Sequence, residues 1–344
     1  MKTFSPAFST LVVLTFVSLA WARTEGQFQH FFDNWSSVLR EILASNCSEP
    51  YTELSANPQI GGYGTVACIL QYMSEARKAE MAITSVVLGL LPAALQLIGP
   101  RVIDVSALGL QRPILALLIC LGSPSATLEN ERTGMEISLQ TQDKPLWPKF
   151  LIQPPFWLQI GISLCEYGIV MIAAANCILQ AYQLSFWAVT LVSTIIGTFG
   201  NTIETFSPLL WVFLALPIHL LGLYALHIAK TPTSQMGAKL GKPKWRSRIS
   251  GWVIQELTPC AFAKIVNTQP AEFKPSYRLL VLNWMIRIGV WLHMIYGTIV
   301  LSSMLFISLF DALRLIGGFL SGTLACRMVL AFESYGLRVV SREN

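Results

Sequence analysis

The chain has 344 residues, of which 53% are apolar and only 12% charged, with a formal net charge of +5 and a mean hydropathy of +0.54. Soluble domains carry about twice that share of charge, and a chain this apolar cannot stay solvated without folding, so the numbers argue against a soluble globular protein and exclude a disordered one. The fold class they point to is all-α, a polytopic bundle of transmembrane helices, and they assign no specific activity.

At the N-terminus, Lys2, the apolar run Leu11 to Leu19 and the small-x-small triplet Ala20-Trp21-Ala22 predict a secretory signal peptide over residues 1 to 22. Residue 23 then starts on the lumenal or extracellular side. Residues 23 to 79 read as a small helical hairpin there. Phe28, Phe31, Phe32, Trp35, Val38, Leu39, Ile42 and Leu43 recur with the spacing of one helix face, and Val66, Ile69, Leu70 and Met73 repeat the pattern over Thr65 to Lys78. Asn57-Pro58 and Gly61-Gly62 predict turns between them. Cys47 and Cys68 are the two cysteines of this stretch, and in an oxidising compartment they are expected to pair, worth about 3 kcal/mol by loop entropy. Asn34-Trp35-Ser36 and Asn46-Cys47-Ser48 are N-glycosylation acceptors in the same stretch, with Asn34 the favoured one. Such an ectodomain offers a surface to a protein partner.

Stretches near the ~20 residues that a bilayer requires follow. Met81 to Gly99, Trp157 to Ala181 and Ile288 to Phe310 are clear, and Leu184 to Ile228 is long enough for two spans broken at Asn201 to Pro208. Val102 to Leu121, carrying Asp104, Gln111 and Arg112, and Ala312 to Phe332, carrying Arg314 and Arg327, are marginal. Hydropathy alone therefore leaves five to seven helices. Residues 229 to 278 hold nine basic residues, among them Lys242, Lys244, Arg246 and Arg248, against Glu256 and Glu272, which predicts a cytoplasmic loop able to lie on anionic lipid headgroups. Parity then requires Val102 to Leu121 to cross, with Pro113 as a kink and Arg112 held by protein or water. The resulting expectation is seven helices, helices 1 to 5 over residues 80 to 228 and helices 6 and 7 over 279 to 332, the N-terminus outside and the tail 333 to 344 in the cytoplasm.

Polar residues inside spans are the usual pointers to function, because each must be paired or wetted. Glu166 lies about ten residues into a span; it reads as a proton or cation site or as a structural hydrogen-bonding partner. Asn176 in the same span suits interhelical bonding. His219 and His293 read as core histidines, with metal ligation or titration as the other reading. Arg287 has Trp284 and Trp291 at i−3 and i+4, which suits snorkelling or a cation–π sandwich. The remaining cysteines lack C-x-x-C spacing, so no metal or cofactor is expected, and nucleic acid is not a predicted partner.

Lys78-Ala-Glu-Met81, Gly89-Leu-Leu-Pro92, Gly99-Pro100, Gln111-Arg112-Pro113-Ile-Leu-Ala116 and Gly122-Ser-Pro124, with His30-Phe31-Phe32 and Asn46-Cys47 ahead of them, resemble a signature of uncharacterised fungal multi-pass membrane proteins. The likeness covers about the first 230 residues, and the family's paired arginines stand here as Gln111-Arg112. It implies lineage and compartment, since the family carries no assigned activity. G-x-S-x-G, H-E-x-x-H, P-loop and paired-acid motifs are missing from the chain. The function expected first is a non-catalytic scaffold, partner subunit or receptor-like surface protein. A transporter or channel using Glu166 comes second, and a membrane enzyme acting on a lipophilic substrate third.

Overall fold

The computed structural model describes residues 28–56, 58–128, 155–190, 207–230, 253–262 and 277–342. Three short helices come first, α1 (Asp33–Ser45), α2 (Ser48–Ala56) and α3 (Pro58–Tyr72), followed by the long α4 (Glu75–Ile98). Two more short ones, α5 (Val102–Gly109) and α6 (Pro113–Gly122), precede α7 (Phe156–Trp187) and α8 (Ser207–Lys230). After helical residues 253–257 and a 3₁₀ turn at Cys260–Phe262 come α9 (Tyr277–Ser302) and α10 (Leu309–Arg342). The all-α expectation holds. Five helices, α4, α7, α8, α9 and α10, are long and apolar enough to cross a bilayer among the described residues, which marks a multi-pass membrane protein.

Two expected spans take a different form. Val102 to Leu121 is not one crossing helix but the pair α5 and α6, of eight and ten residues, each well short of the ~20 that a crossing needs. The cause is local: Pro113 has no N–H to give and pushes the residue before it out of the helical region, and Arg112 sits at φ −130°, ψ 76°. Leu184, expected to open a fourth span, instead belongs to the last turn of the 32-residue α7. Val189 and Thr190 follow it as strand β1, while Asn201 and its turn lie outside the described residues, as do Lys242 to Arg248 of the basic loop and the signal segment. The helix expected over Ile288 to Phe310 starts earlier, at Tyr277, and stops at Ser302, because Met304–Leu305 form strand β2. Pro92 and Pro217 lie within continuous helices, as membrane helices tolerate.

The residues group into two compact units. One comprises Met1–Leu91, Gln180–Leu210 and Tyr296–Gly317. Its core is the apolar face read from the sequence: Phe28, Phe31, Trp35, Leu39, Ile42 and Leu43 pack with Val66, Ile69, Met73 and Met81. Cys47 and Cys68 are joined, with Cα atoms 5.9 Å apart. Gly61-Gly62, expected as a turn, is inside α3, where burial of Val66 and Ile69 outweighs weak helix propensity. The helix expected over Thr65 to Lys78 ends at Tyr72 as α3, and Glu75, paired with Lys78 at 2.7 Å, opens α4 in a first turn that favours an acid. β1 and β2 pair antiparallel, Val189 with Leu305 and Thr190 with Met304. Just after them Phe306 holds φ 64°, a costly conformation for an aromatic residue, offset by full burial and by its N–H reaching Met81 Sδ. α10 opens with a reciprocal cap: the Asp311 N–H donates to Ser308 Oγ, whose hydroxyl donates to Asp311 Oδ2 at 2.7 Å, while Glu80 accepts from the Leu309 N–H.

The other unit comprises Pro92–Leu179, Trp211–Ile295 and Gly318–Asn344. Leu108, Leu115, Ile119 and Cys120 of α5 and α6 pack with Val170 and Ala173 of α7 and with Cys326, Val329 and Leu330 of α10. A second cluster joins Val102 and Ala126 to Ile218 and Ala225 of α8 and to Leu282, Ile286 and Val290 of α9. Packing is tight at Gly122, where an added Cβ would lie 2.7 Å from Cys326 Sγ and 3.1 Å from the Ala174 backbone nitrogen.

Candidate functional site: a buried charge cluster

Arg112 occupies the α5–α6 junction with none of its surface exposed. Breaking the helix at Pro113 is what frees the arginine from a helix face and lets its guanidinium turn inward. All three of its nitrogens are engaged. Nε donates to the Glu256 backbone carbonyl at 2.9 Å, Nη1 donates to Glu166 Oε2 and to Glu333 Oε1, each at 2.6 Å, and Nη2 donates to Ser163 Oγ at 2.6 Å. The Tyr167 ring lies 5.3 Å from the guanidinium carbon, within cation–π range.

The carboxylates around it are placed by separate elements. Glu166 comes from α7, one turn from Ser163, so both face the same side of the helix. Glu333 comes from α10; its Oε2 accepts the Cys260 N–H at 2.9 Å, so both its oxygens are held. Glu256 comes from residues 253–257 and caps α6 from outside it. Its Oε1 accepts the Ile114 and Leu115 N–H groups at 2.9 and 3.2 Å and the Tyr167 hydroxyl at 2.6 Å. These are orphan donors of a helix N-terminus, where an anion is favoured. Two buried carboxylate oxygens, Glu166 Oε1 and Glu256 Oε2, have no hydrogen-bond partner among the described residues. Burial, and then the neighbouring Glu333, push the Cys260 thiol above its ordinary range, which keeps it a neutral thiol and no nucleophile.

Of the polar residues singled out from the sequence, only Glu166 belongs to this cluster. Asn176 Nδ2 donates to the Gly318 carbonyl at 2.9 Å, an α7-to-α10 tie. His219 Nε2 is 3.2 Å from the Ser125 carbonyl. His293 Nε2 is 2.9 Å from the Trp211 carbonyl, its ring stacked on that indole. Arg287 is exposed on α9 together with Trp284 and Trp291. No group of three or more metal-ligating side chains occurs among the described residues. In the other unit, Asn34 Nδ2 donates to Ser308 Oγ at 3.1 Å and to Asp311 Oδ1 at 2.9 Å, whereas Asn46 is exposed and accepts from the Ser45 hydroxyl through its oxygen.

Sequence reasoning missed Glu333, Glu256, Ser163 and Tyr167 as partners. Glu333 falls one residue past the expected end of the last span, and Glu256 was counted as a loop acid. The usable signal was the charge of Arg112 itself, since a basic residue in an apolar stretch calls for an acid, and Glu166 was the acid in want of a base.

The fold and this cluster define a helical multi-pass membrane protein with an internally paired polar core. Compared with family models, with curated proteins and with solved structures, the chain matches none.

Proposed function

We propose that the chain is a non-catalytic multi-pass membrane protein that enters through the secretory pathway and acts as a scaffold, partner subunit or receptor-like surface protein through its stapled ectodomain. The observation supporting this reading is that the buried Arg112 is fully satisfied by the protein itself. Arg112 spends every nitrogen on protein acceptors, and those acceptors stitch α6, α7, α10 and residues 253–262 together, which is what a structural lock requires. The orientation proposed is N-terminus lumenal or extracellular, basic loop and tail cytoplasmic. Among the described residues α4, α7 and α8 are three candidate crossings before the loop, an odd number, which supports that orientation. The basic residues of 229 to 278 then face the anionic leaflet.

Two arms test this. In microsomes, an N-glycosylation acceptor inserted within 231 to 245 stays unmodified while the native exterior acceptor Asn46 is used; modification of the inserted site refutes the orientation. In cells lacking the protein, Glu166→Gln restores the wild-type phenotype, whereas Tyr63→Ala with Tyr72→Ala, two exposed ectodomain aromatics, does not. The opposite pattern favours a transporter or channel, the reading that the unpartnered Glu166 Oε1 and Glu256 Oε2 support.

A further inference from the structure

The cluster around Arg112 sets one guanidinium against three carboxylates, all buried: Arg112 and Glu333 at 0% exposure, Glu166 and Glu256 at 5%. Fully ionised it would carry a net charge of about −2 in a site closed to water, which no fold sustains without compensation. The compensation available is unequal. Glu333 accepts a charged donor on one oxygen and the Cys260 N–H on the other. Glu256 accepts two backbone N–H groups at the start of the ten-residue α6, where the helix dipole favours its charge, and a phenolic hydroxyl besides. Glu166 accepts from Arg112 on Oε2, and among the described residues no donor reaches its other, buried oxygen. Glu166 Oε2 and Glu333 Oε1 each lie 2.6 Å from the same Arg112 nitrogen, so they are at most about 5 Å apart. Two carboxylates that close in a buried site share one negative charge.

We propose that Glu166 carries a bound proton at neutral pH, so that the cluster is a proton-binding site. The ligand is a proton taken from and returned to bulk water, and binding converts the Glu166 carboxylate to a carboxylic acid with no other bond made or broken. The groups that face it are Arg112 from the α5–α6 junction, Ser163 and Tyr167 from α7, Glu333 from α10, and Glu256 and Cys260 from residues 253–262. Arg112 then balances Glu333, and Glu256 is left to the α6 N-terminus. This holds whether or not the ectodomain binds a partner, so it stands or falls apart from the function proposed above.

The test uses the full-length protein in lipid nanodiscs at neutral pH. Infrared difference spectra of wild type show a carboxylic-acid C=O stretch that shifts in D₂O; the band is lost in Glu166→Gln and kept in Glu256→Gln. It is also lost in Glu333→Gln, where Arg112 has Glu166 to itself and Glu166 ionises. Thermal unfolding supplies the second readout. Glutamine is the neutral isostere of the protonated acid, so Glu166→Gln melts within about 2 °C of wild type, whereas Glu333→Gln melts lower by more than that, because its amide nitrogen meets one of the two donors that the Glu333 oxygens accept from. A wild-type spectrum that does not differ from that of Glu166→Gln overturns the proposal. So does a Glu166→Gln protein that fails to fold or melts as low as Glu333→Gln, since a neutral replacement for a neutral acid keeps the Arg112 bond.

Discussion

Replacing Arg112 with methionine tests the lock directly. Methionine retains much of the aliphatic stem, so the packing loss is small, but four hydrogen bonds disappear: two to carboxylates, one to the Ser163 hydroxyl and one to the Glu256 carbonyl. Glu333, fully buried, is left with a single backbone donor. Removing one partner from a buried ion pair costs about 3–5 kcal/mol, because the remaining charge has lost its compensation. For a chain of this size that is a drop of roughly 4–7 °C in unfolding midpoint, readable by circular dichroism in mild detergent. The same reasoning predicts strong non-additivity. In the triple variant Arg112→Met, Glu166→Gln, Glu333→Leu no buried charge is stranded, and at least half of the loss returns. A shift under about 2 °C for Arg112→Met, or a triple variant whose losses simply add, would refute the reading of the cluster as a mutually dependent lock.

Three further outcomes follow from the geometry. Cys47→Ala with Cys68→Ala removes a cross-link closing a 21-residue separation, which lowers ectodomain stability by about 3 kcal/mol and speeds limited proteolysis within residues 28–72; unchanged protease resistance would count against it. Asn46→Gln abolishes the glycosidase-sensitive gel shift of the protein made in microsomes, whereas Asn34→Gln leaves it, because the amide nitrogen a glycan would occupy on Asn34 already serves Ser308 and Asp311; the reverse result would mean that Asn34 is released during synthesis. Gly122→Ala forces a methyl group against Cys326 Sγ and the Ala174 backbone and costs about 1–3 kcal/mol, with Cys326→Ala in the same chain recovering part of it; a wild-type midpoint for Gly122→Ala would show that the helices separate freely.

How far the sequence carried the fold depended on the range of the forces involved. The apolar face from Phe28 to Leu43 and the Cys47–Cys68 pairing were legible because both follow from local periodicity and compartment. The apolar runs of α4 and α7 were legible from hydropathy, whereas that of α10 was marginal because of Arg314 and Arg327. The break at Arg112 was misjudged: Pro113 was taken as a kink in a continuous span, when the proline and the capping of Ile114 and Leu115 by Glu256 together end one helix and begin another. That cap reaches across 142 residues of chain, and no periodicity reports a contact of that kind. The stop of α9 at Ser302 was likewise hidden, since the ladder between Met304–Leu305 and Val189–Thr190 pairs residues far apart in sequence within an apolar stretch. Glu166 could be singled out as an unusual residue, but its partners could not be ranked, because every buried acid looks alike until the arginine's direction is known.

The spacing of the cluster along the chain also orders its assembly during synthesis. Arg112 leaves the ribosome 54 residues ahead of Glu166 and 221 ahead of Glu333, and the cap for α6 arrives between the two. The junction between α5 and α6 therefore stays incomplete until the last helix is made, with Glu166 the first acid to reach Arg112. A chain stopped short of Glu333 lacks one acceptor of Arg112 and the acceptor of the Cys260 N–H, so the cluster is completed only by the final apolar helix.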